Sequence, residues 1–218
     1  MSLLYFPSCK FTAQYPEVSK RIKAYLSDRH GAEIAGCCKQ SLASVGAGDV
    51  IVYICNTCAA LIRESSCAGK VISLWELLLS DQDFKVRQYA DKRMTVQDCW
   101  RTYDNRGLQD AVRKLLQNMN IEVVEIDNHH EKADFCGVSL YKALPEHYEI
   151  WAPKRFVEDA GDFFVPRPEG EQELLMREHC ANIDTAEVLC YCVACVNGIN
   201  TGGKSGVHLA ELVMQPFL

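Results

Sequence analysis

Asp49-Val-Ile-Val-Tyr-Ile-Cys-Asn-Thr-Cys58 runs from β-branched and aromatic residues straight into a Cys-x-x-Cys, and Ala59–Ser66 follows at helical spacing. A short apolar run of this kind reads as a strand buried on both faces. Its junction with a helix sets both thiols at the helix N-terminus, where backbone amides favour thiolate over thiol. The pattern returns as Glu187-Val-Leu-Cys-Tyr-Cys-Val-Ala-Cys195, with Cys55/Cys192 and Cys58/Cys195 at an offset of 137. Earlier pairs match at an offset of 90, namely Cys9/Cys99, Ile22/Val112, Tyr25/Leu115, Leu26/Leu116 and Ile34/Val124. At the end of each half the offset settles at 135, where Leu74/Leu209, Glu76/Glu211 and Leu77/Leu212 coincide. The chain therefore reads as two pseudo-repeats, 1–80 and 93–218, the second enlarged by an insertion of about 47 residues. Most of that insertion lies between Gly137 and Asp184, with Pro145, Pro153, Pro166 and Pro168 and one helix expected over Gly170–Asn182.

The expected strands are Leu3–Phe6, Ala32–Ala35 and Asp49–Ile54, then Met94–Gln97, Ile121–Ile126 and Glu187–Tyr191. Helices are expected over Gln14–Arg29, Ala59–Ser66, Gly107–Asn118, Val193–Gly198 and Val207–Gln215. The alternation predicts an α/β fold, two Rossmann-like halves with small parallel sheets covered by helices. In such units ligand groups gather where strands end, and nearly all the repeated cysteines fall there.

Among 218 residues, 23 Lys and Arg face 29 Asp and Glu for a net charge of -6, with no basic cluster, which argues against nucleic-acid binding. No apolar run reaches the roughly 18 residues of a membrane helix, so no integral membrane segment is expected. Met1-Ser-Leu-Leu-Tyr-Phe-Pro-Ser-Cys-Lys10 lacks the basic, apolar and small-residue regions of a secretory signal, so a cytoplasmic, reducing compartment is expected. In that setting twelve cysteines read as metal ligands or redox groups rather than disulfides.

The first half offers Cys9, the adjacent pair Cys37 and Cys38, and Cys55 with Cys58, five thiols for one sheet edge. Adjacent cysteines are awkward as two ligands of one zinc tetrahedron, and five is one more than zinc takes; neighbouring irons of a cluster can take one each or share one. The arrangement resembles the cysteine-rich CCG domain found in heterodisulfide reductase and in the glycolate oxidase, lactate-utilisation and anaerobic glycerol-3-phosphate dehydrogenase iron-sulfur subunits. That family pattern is Cys, Cys-Cys-Gly, then Cys-x-x-Cys, usually twice in tandem. Here Cys9, Cys37-Cys38, Cys55–Cys58, Cys99, Cys136-Gly137 and Cys192–Cys195 carry it, so the resemblance covers nearly the whole chain. It implies a noncubane [4Fe-4S] cluster on Cys9, Cys37, Cys38, Cys55 and Cys58, and zinc in one half of some members.

Three departures stand out. Lys39 replaces the glycine after the first pair; only 16 residues separate Cys38 from Cys55, so the intervening helix is missing and a looser, more exposed site is expected; and Phe135 stands where the second pair would begin. Cys99, Cys136, Cys192 and Cys195 remain, four positions that suit tetrahedral zinc or an ordinary four-thiolate cluster. His129 and His130 fall near the missing pair in a polar loop that reads as solvated, and Cys67, Cys180 and Cys190 lie outside the motif as ordinary thiols. Trp75, Trp100 and Trp151 read as core aromatics.

Gly198-Ile-Asn-Thr-Gly-Gly-Lys-Ser205 satisfies the phosphate-loop pattern, but only thirteen residues follow it and the repeat makes it a connector, so nucleotide binding is a minor alternative. The sequence reading is an iron-sulfur redox protein, an oxidoreductase subunit that passes electrons or reduces a thiol or disulfide substrate. The chain has no flavin fingerprint and no ferredoxin-type cysteine run of its own, so a ferredoxin-like or flavoprotein redox partner is implied. The competing class is a zinc-binding scaffold without redox chemistry.

Overall fold

The computed structural model describes residues 2–215; of the two halves read from the sequence, Met1 and Pro216–Leu218 lie outside the described residues. The chain folds as two compact units, one formed by residues up to Asp81 with Pro145–Gly161, the other by Gln82–Leu144 and Asp162 onward. Each is an α/β unit with a sheet of four parallel strands covered by helices, as the two-half reading expects.

The first unit runs β1 (Leu3–Phe6), α1 (Cys9–Gln14), α2 (Pro16–His30), β2 (Glu33–Ile34), α3 (Cys38–Ser41), β3 (Val50–Tyr53), α4 (Asn56–Ser65), β4 (Lys70–Ser73) and α5 (Leu74–Ser80). The chain continues with β5 (Lys92–Gln97), α6 (Arg106–Asn118), β6 (Ile121–Val124), α7 (Glu146–Trp151), α8 (Glu169–Ala181), β7 (Glu187–Cys190), α9 (Val193–Thr201), β8 (Ser205–His208) and α10 (Leu209–Val213). Strand orders are β2-β1-β3-β4 and β6-β5-β7-β8, all parallel, with Leu4 opposite Ile51 and Gln97 opposite Cys190. In both sheets the chain steps outward from the first strand and then returns past it. The reversal point therefore lies between β1 and β3, and between β5 and β7, and a crevice opens there at the C-terminal strand ends.

Local chemistry explains the frame. Val50-Ile-Val-Tyr53 is buried nearly throughout, as a strand covered on both faces must be. Helix α2 starts at Pro16 and stops at Gly31, whose φ of +60° lets its N–H reach the Leu26 and Ser27 carbonyls. Asn105 caps α6 by accepting the Leu108 N–H, and the helix buries Leu108, Ala111, Val112, Leu115 and Leu116 at helical spacing. Glu64 of α4 accepts the N–H groups of Lys154 (2.8 Å) and Arg155 (3.1 Å), and Ser65 Oγ donates to the Trp151 carbonyl. These bonds hold Pro145–Gly161 to the first unit.

Two edge strands lie outside the expected set: Lys70–Ser73 is a strand that follows the irregular connector of residues 66–69, and Val207–His208 ends a strand rather than beginning a helix. Each is four residues long and half-covered, and Ser205-Gly-Val-His208 shows neither alternation nor a β-branched run, so no pattern announced it. The helices after them begin with matched capping boxes, Ser73 with Glu76 and His208 with Glu211. Among the described residues, no helix is long and apolar enough to cross a membrane.

Candidate metal centre

In the second unit, Cys99 lies two residues past β5, Cys136 on the loop after β6, Cys192 at the N-cap of α9 and Cys195 in its first turn. Strand ends at the reversal point thus deliver four thiols from three segments. Their Sγ atoms all lie within 4.8 Å of one another, with Cys99 and Cys136 at 3.6 Å, and all four residues are buried. Zinc–thiolate bonds of ~2.3 Å set tetrahedral sulfur–sulfur edges of about 3.8 Å, so the donor set fits one tetrahedral ion. This buried four-cysteine group can bind a metal.

The loop bearing Cys136 comes this close because two glycines allow it. Gly137 has a φ of +58°, and a Cβ there would meet the Ala194 carbonyl oxygen at 2.0 Å; one on Gly198 would meet the Gly137 Cα at 2.4 Å. Phe135 fills the place of the missing cysteine, its ring stacked on His179 at 4.1 Å and its carbonyl accepting the Trp100 N–H. Arg101, 6 % exposed, donates from Nη1 to Cys136 Sγ and contacts Ser139 Oγ at 3.5 Å, with its guanidinium over the Phe164 ring. A buried cation against a sulfur offsets the charge that four thiolates bring to a divalent ion.

A second layer fixes Cys99. Asp98 is fully buried and accepts from Arg113 (2.7 and 3.1 Å), from the His130 N–H (2.7 Å) and from Tyr191 Oη (2.8 Å). Tyr191 Oη in turn accepts the Cys99 N–H at 3.2 Å. Burial acts to raise the Asp98 carboxyl, but the Arg113 hydrogen bonds and charge, with His130 and Tyr191, hold it below the usual range. His130 thus serves the site through its backbone, and neither it nor His129 joins the four-cysteine group.

The thiols polarise one another. Burial acts to raise Cys136, but hydrogen bonds from Cys192, Cys195 and Cys99 and the charge of Arg101 overcome it and hold it well below the ordinary thiol range. The bond to Cys136 pushes Cys192 up, while those to Cys195 and Cys99 bring it down to about 7. Burial and the neighbouring thiols push Cys99 and Cys195 well up.

The first unit brings its five cysteines to the matching edge in a more open arrangement. Cys9 opens α1 behind the Ser8 cap, Cys37 and Cys38 begin α3, Cys55 is the N-cap of α4 and Cys58 lies in its first turn. Cys38 and Cys58 are 3.4 Å apart at sulfur, Cys9 hydrogen-bonds Cys37, and Cys58 hydrogen-bonds Cys55. Cys58 is buried against Phe6, Val45, Ile51 and Ile62, while Cys9 is exposed and Cys37, Cys38 and Cys55 are half-buried. The hydrogen bond from Cys58 lowers Cys38 to about 7. The five do not close on one ion-sized point; among the described residues only the second unit's four do. At the positions of Gly137 and Gly198 the repeat places Lys39 and Leu61, so the first unit lacks the glycine pair that lets the Cys136 loop touch α9.

The phosphate-loop alternative is corrected. Gly198 lies inside α9 and Lys204 precedes β8, so the segment is helix–turn–strand. Its amides are used internally: Gly202, Gly203, Lys204 and Ser205 donate to Gly198, Asn200, Ile199 and Ala186 carbonyls, and Lys204 Nζ donates to Thr185. None faces outward as a phosphate cradle needs. Cys67 is exposed, Cys180 and Cys190 are buried apart from the group, and Trp75 and Trp100 are core side chains. Arg101, Asp98 and Gly198's packing role escaped the sequence reading, since the first two stand in no local pattern and the third imitated a different motif.

Compared with known proteins, the chain matches no family model, no curated protein and no solved structure.

Proposed function

We propose that the protein is an iron-sulfur redox protein of the heterodisulfide reductase CCG type, with unlike sites in its two units. In this reading Cys9, Cys37, Cys38, Cys55 and Cys58 hold a [4Fe-4S] centre, and Cys99, Cys136, Cys192 and Cys195 hold a structural zinc. The observation that carries it is the difference between two edges of one repeated fold. The second unit's sulfurs lie within 4.8 Å of one another and are shut from water, the closed geometry of a structural ion. The first unit's five are spread along the edge and partly open to solvent, which suits a multi-iron centre that exchanges electrons with a partner. Bound there, such a centre supplies one-electron chemistry. The chain's own residues position the thiols at strand ends, lower Cys38 through Cys58, and leave Cys9 accessible to a substrate thiol or redox partner.

Iron, zinc and acid-labile sulfide analysis with a visible spectrum, on full-length protein purified without oxygen, tests the reading. About four irons and four sulfides per chain with one zinc are expected, and Cys38→Ser should bleach the visible absorbance while the zinc stays. Zinc alone, with a colourless protein, would replace this reading with the scaffold one.

A further inference from the structure

Polar side chains buried in folded proteins nearly always find a partner, and Asn56 has none. It is the first residue of α4, between Cys55 and Cys58, and is 1 % exposed, yet neither its Nδ2 nor its Oδ1 has a hydrogen-bond partner. A second orphan lies on the neighbouring strand. Tyr5 of β1, paired with Val52 of β3, is 0 % exposed with an unpartnered Oη, close enough to Cys58 for charge on that thiol to act on it. Both groups therefore lie at the C-terminal ends of β1 and β3, where the five cysteines collect.

The second unit indicates how avoidable this is. There the position of Asn56 is taken by Val193, between Cys192 and Cys195, and a buried tyrosine at the same sheet edge, Tyr191 at the position of Ile54, is satisfied by Asp98, Thr102 and the Cys99 N–H. An unpaired carboxamide under a thiol-rich edge is destabilising in the protein alone, so its partner belongs to whatever the thiols bind. Sulfur carrying negative charge accepts N–H and O–H donors, and such bonds favour the reduced, more negative form of a metal–sulfur centre. Resting on the reading of the first unit as an iron-sulfur site, we propose that the Asn56 carboxamide, with the Tyr5 hydroxyl as a second donor, hydrogen-bonds sulfur of the centre held by Cys9, Cys37, Cys38, Cys55 and Cys58 and raises its reduction potential.

The test is a redox titration followed in the visible, on anaerobically reconstituted full-length protein, for wild type, Asn56→Val and Tyr5→Phe. Asn56→Val should lower the reduced-to-oxidised ratio at fixed potential about tenfold, a shift of about 59 mV for one electron, and Tyr5→Phe should shift it in the same direction. Metal-free Asn56→Val should also melt above metal-free wild type, because the unpaired group is gone. Asn56→Leu, close to asparagine in shape, must show the same shift and keeps the test open if the valine variant does not fold. A fully loaded Asn56 variant with the wild-type potential overturns the proposal and leaves the iron-sulfur reading standing. Wild type that takes up no iron and sulfide overturns that reading, and the proposal with it.

Discussion

Gly137→Ala should open the second unit's four-cysteine group while leaving the first unit's cysteines untouched. The new Cβ would lie 2.0 Å from the Ala194 carbonyl oxygen, 2.9 Å from its carbon and 3.2 Å from the Gly198 nitrogen, all backbone atoms that cannot rotate away. The backbone also holds a φ of +58° at this residue, which costs a non-glycine residue roughly 1–2 kcal/mol. Relieving the overlap means pushing the Cys136 loop away from α9, and overpacking of this kind costs roughly 1–3 kcal/mol. Together these give roughly 2–5 kcal/mol, and at about 2–4 °C per kcal/mol for a chain of this size the melting point should fall by about 10 °C. The displacement also separates Cys136 from Cys195, so zinc loaded into the four-cysteine group should be lost to a chromophoric chelator at least tenfold faster. Thermal melts with and without zinc, and the chelator time course, read both effects. A variant that melts within about 1 °C of wild type and keeps its metal would refute the claim that two touching glycines assemble this site.

Three further outcomes follow from the same geometry. Arg101→Met removes the buried cation beside Cys136 and should speed zinc release to a chelator and shift the thiolate-to-metal charge-transfer band of the cobalt-substituted protein; Arg101→Lys should restore part of both, and an unmoved band would show that the guanidinium does not act on the sulfur. Tyr191→Phe leaves Asp98 and the Cys99 N–H one partner short in a buried setting and should cost about 1–3 kcal/mol, read as a lower urea midpoint. His208 is held neutral by burial, its pKa lowered to about 4, so the unfolded chain takes up the proton first and wild type should lose about 3 kcal/mol as pH falls from about 6.5 to about 4. His208→Ser, which installs the residue found at Ser73, should flatten that slope; equal slopes in urea unfolding would sink the assignment.

What the sequence made legible was whatever is local. The run into Cys55-Asn-Thr-Cys58 already specified a strand, a junction and a helix, because β-branched burial and helical spacing are written within one or two turns of chain. Six strands were readable, the edge strands β2 and β6 among them, whereas β4 and β8 were not: Ser205-Gly-Val-His208 has no β-branched run, and Lys70-Val-Ile-Ser73 leads straight into the capping box of α5. The site followed the same division. All nine repeated cysteines were visible by spacing, but the Gly137–Gly198 contact joins residues 61 positions apart, and Gly198 alone looked like the start of a phosphate loop. Arg101 and Asp98 gain their roles only once folding has buried them beside Cys136 and Cys99.

The difference between the units is not merely a missing cysteine. Four positions change together: Lys39, Leu61, Asn56 and Cys37 in the first unit correspond to Gly137, Gly198, Val193 and Phe135 in the second. The glycine pair draws the Cys136 loop onto α9, and Phe135, stacked on His179 and 3 % exposed, plugs the space beside it. Each depends on the others, because a lysine at 137 or a leucine at 198 would hold the loop off and leave Phe135 without its packing. Restoring Cys at 135 would therefore add a thiol without adding room for the wider set of ligands a cluster needs. The closed site is specified by backbone proximity at the glycine pair, so opening it requires that pair to change before the cysteine count can matter.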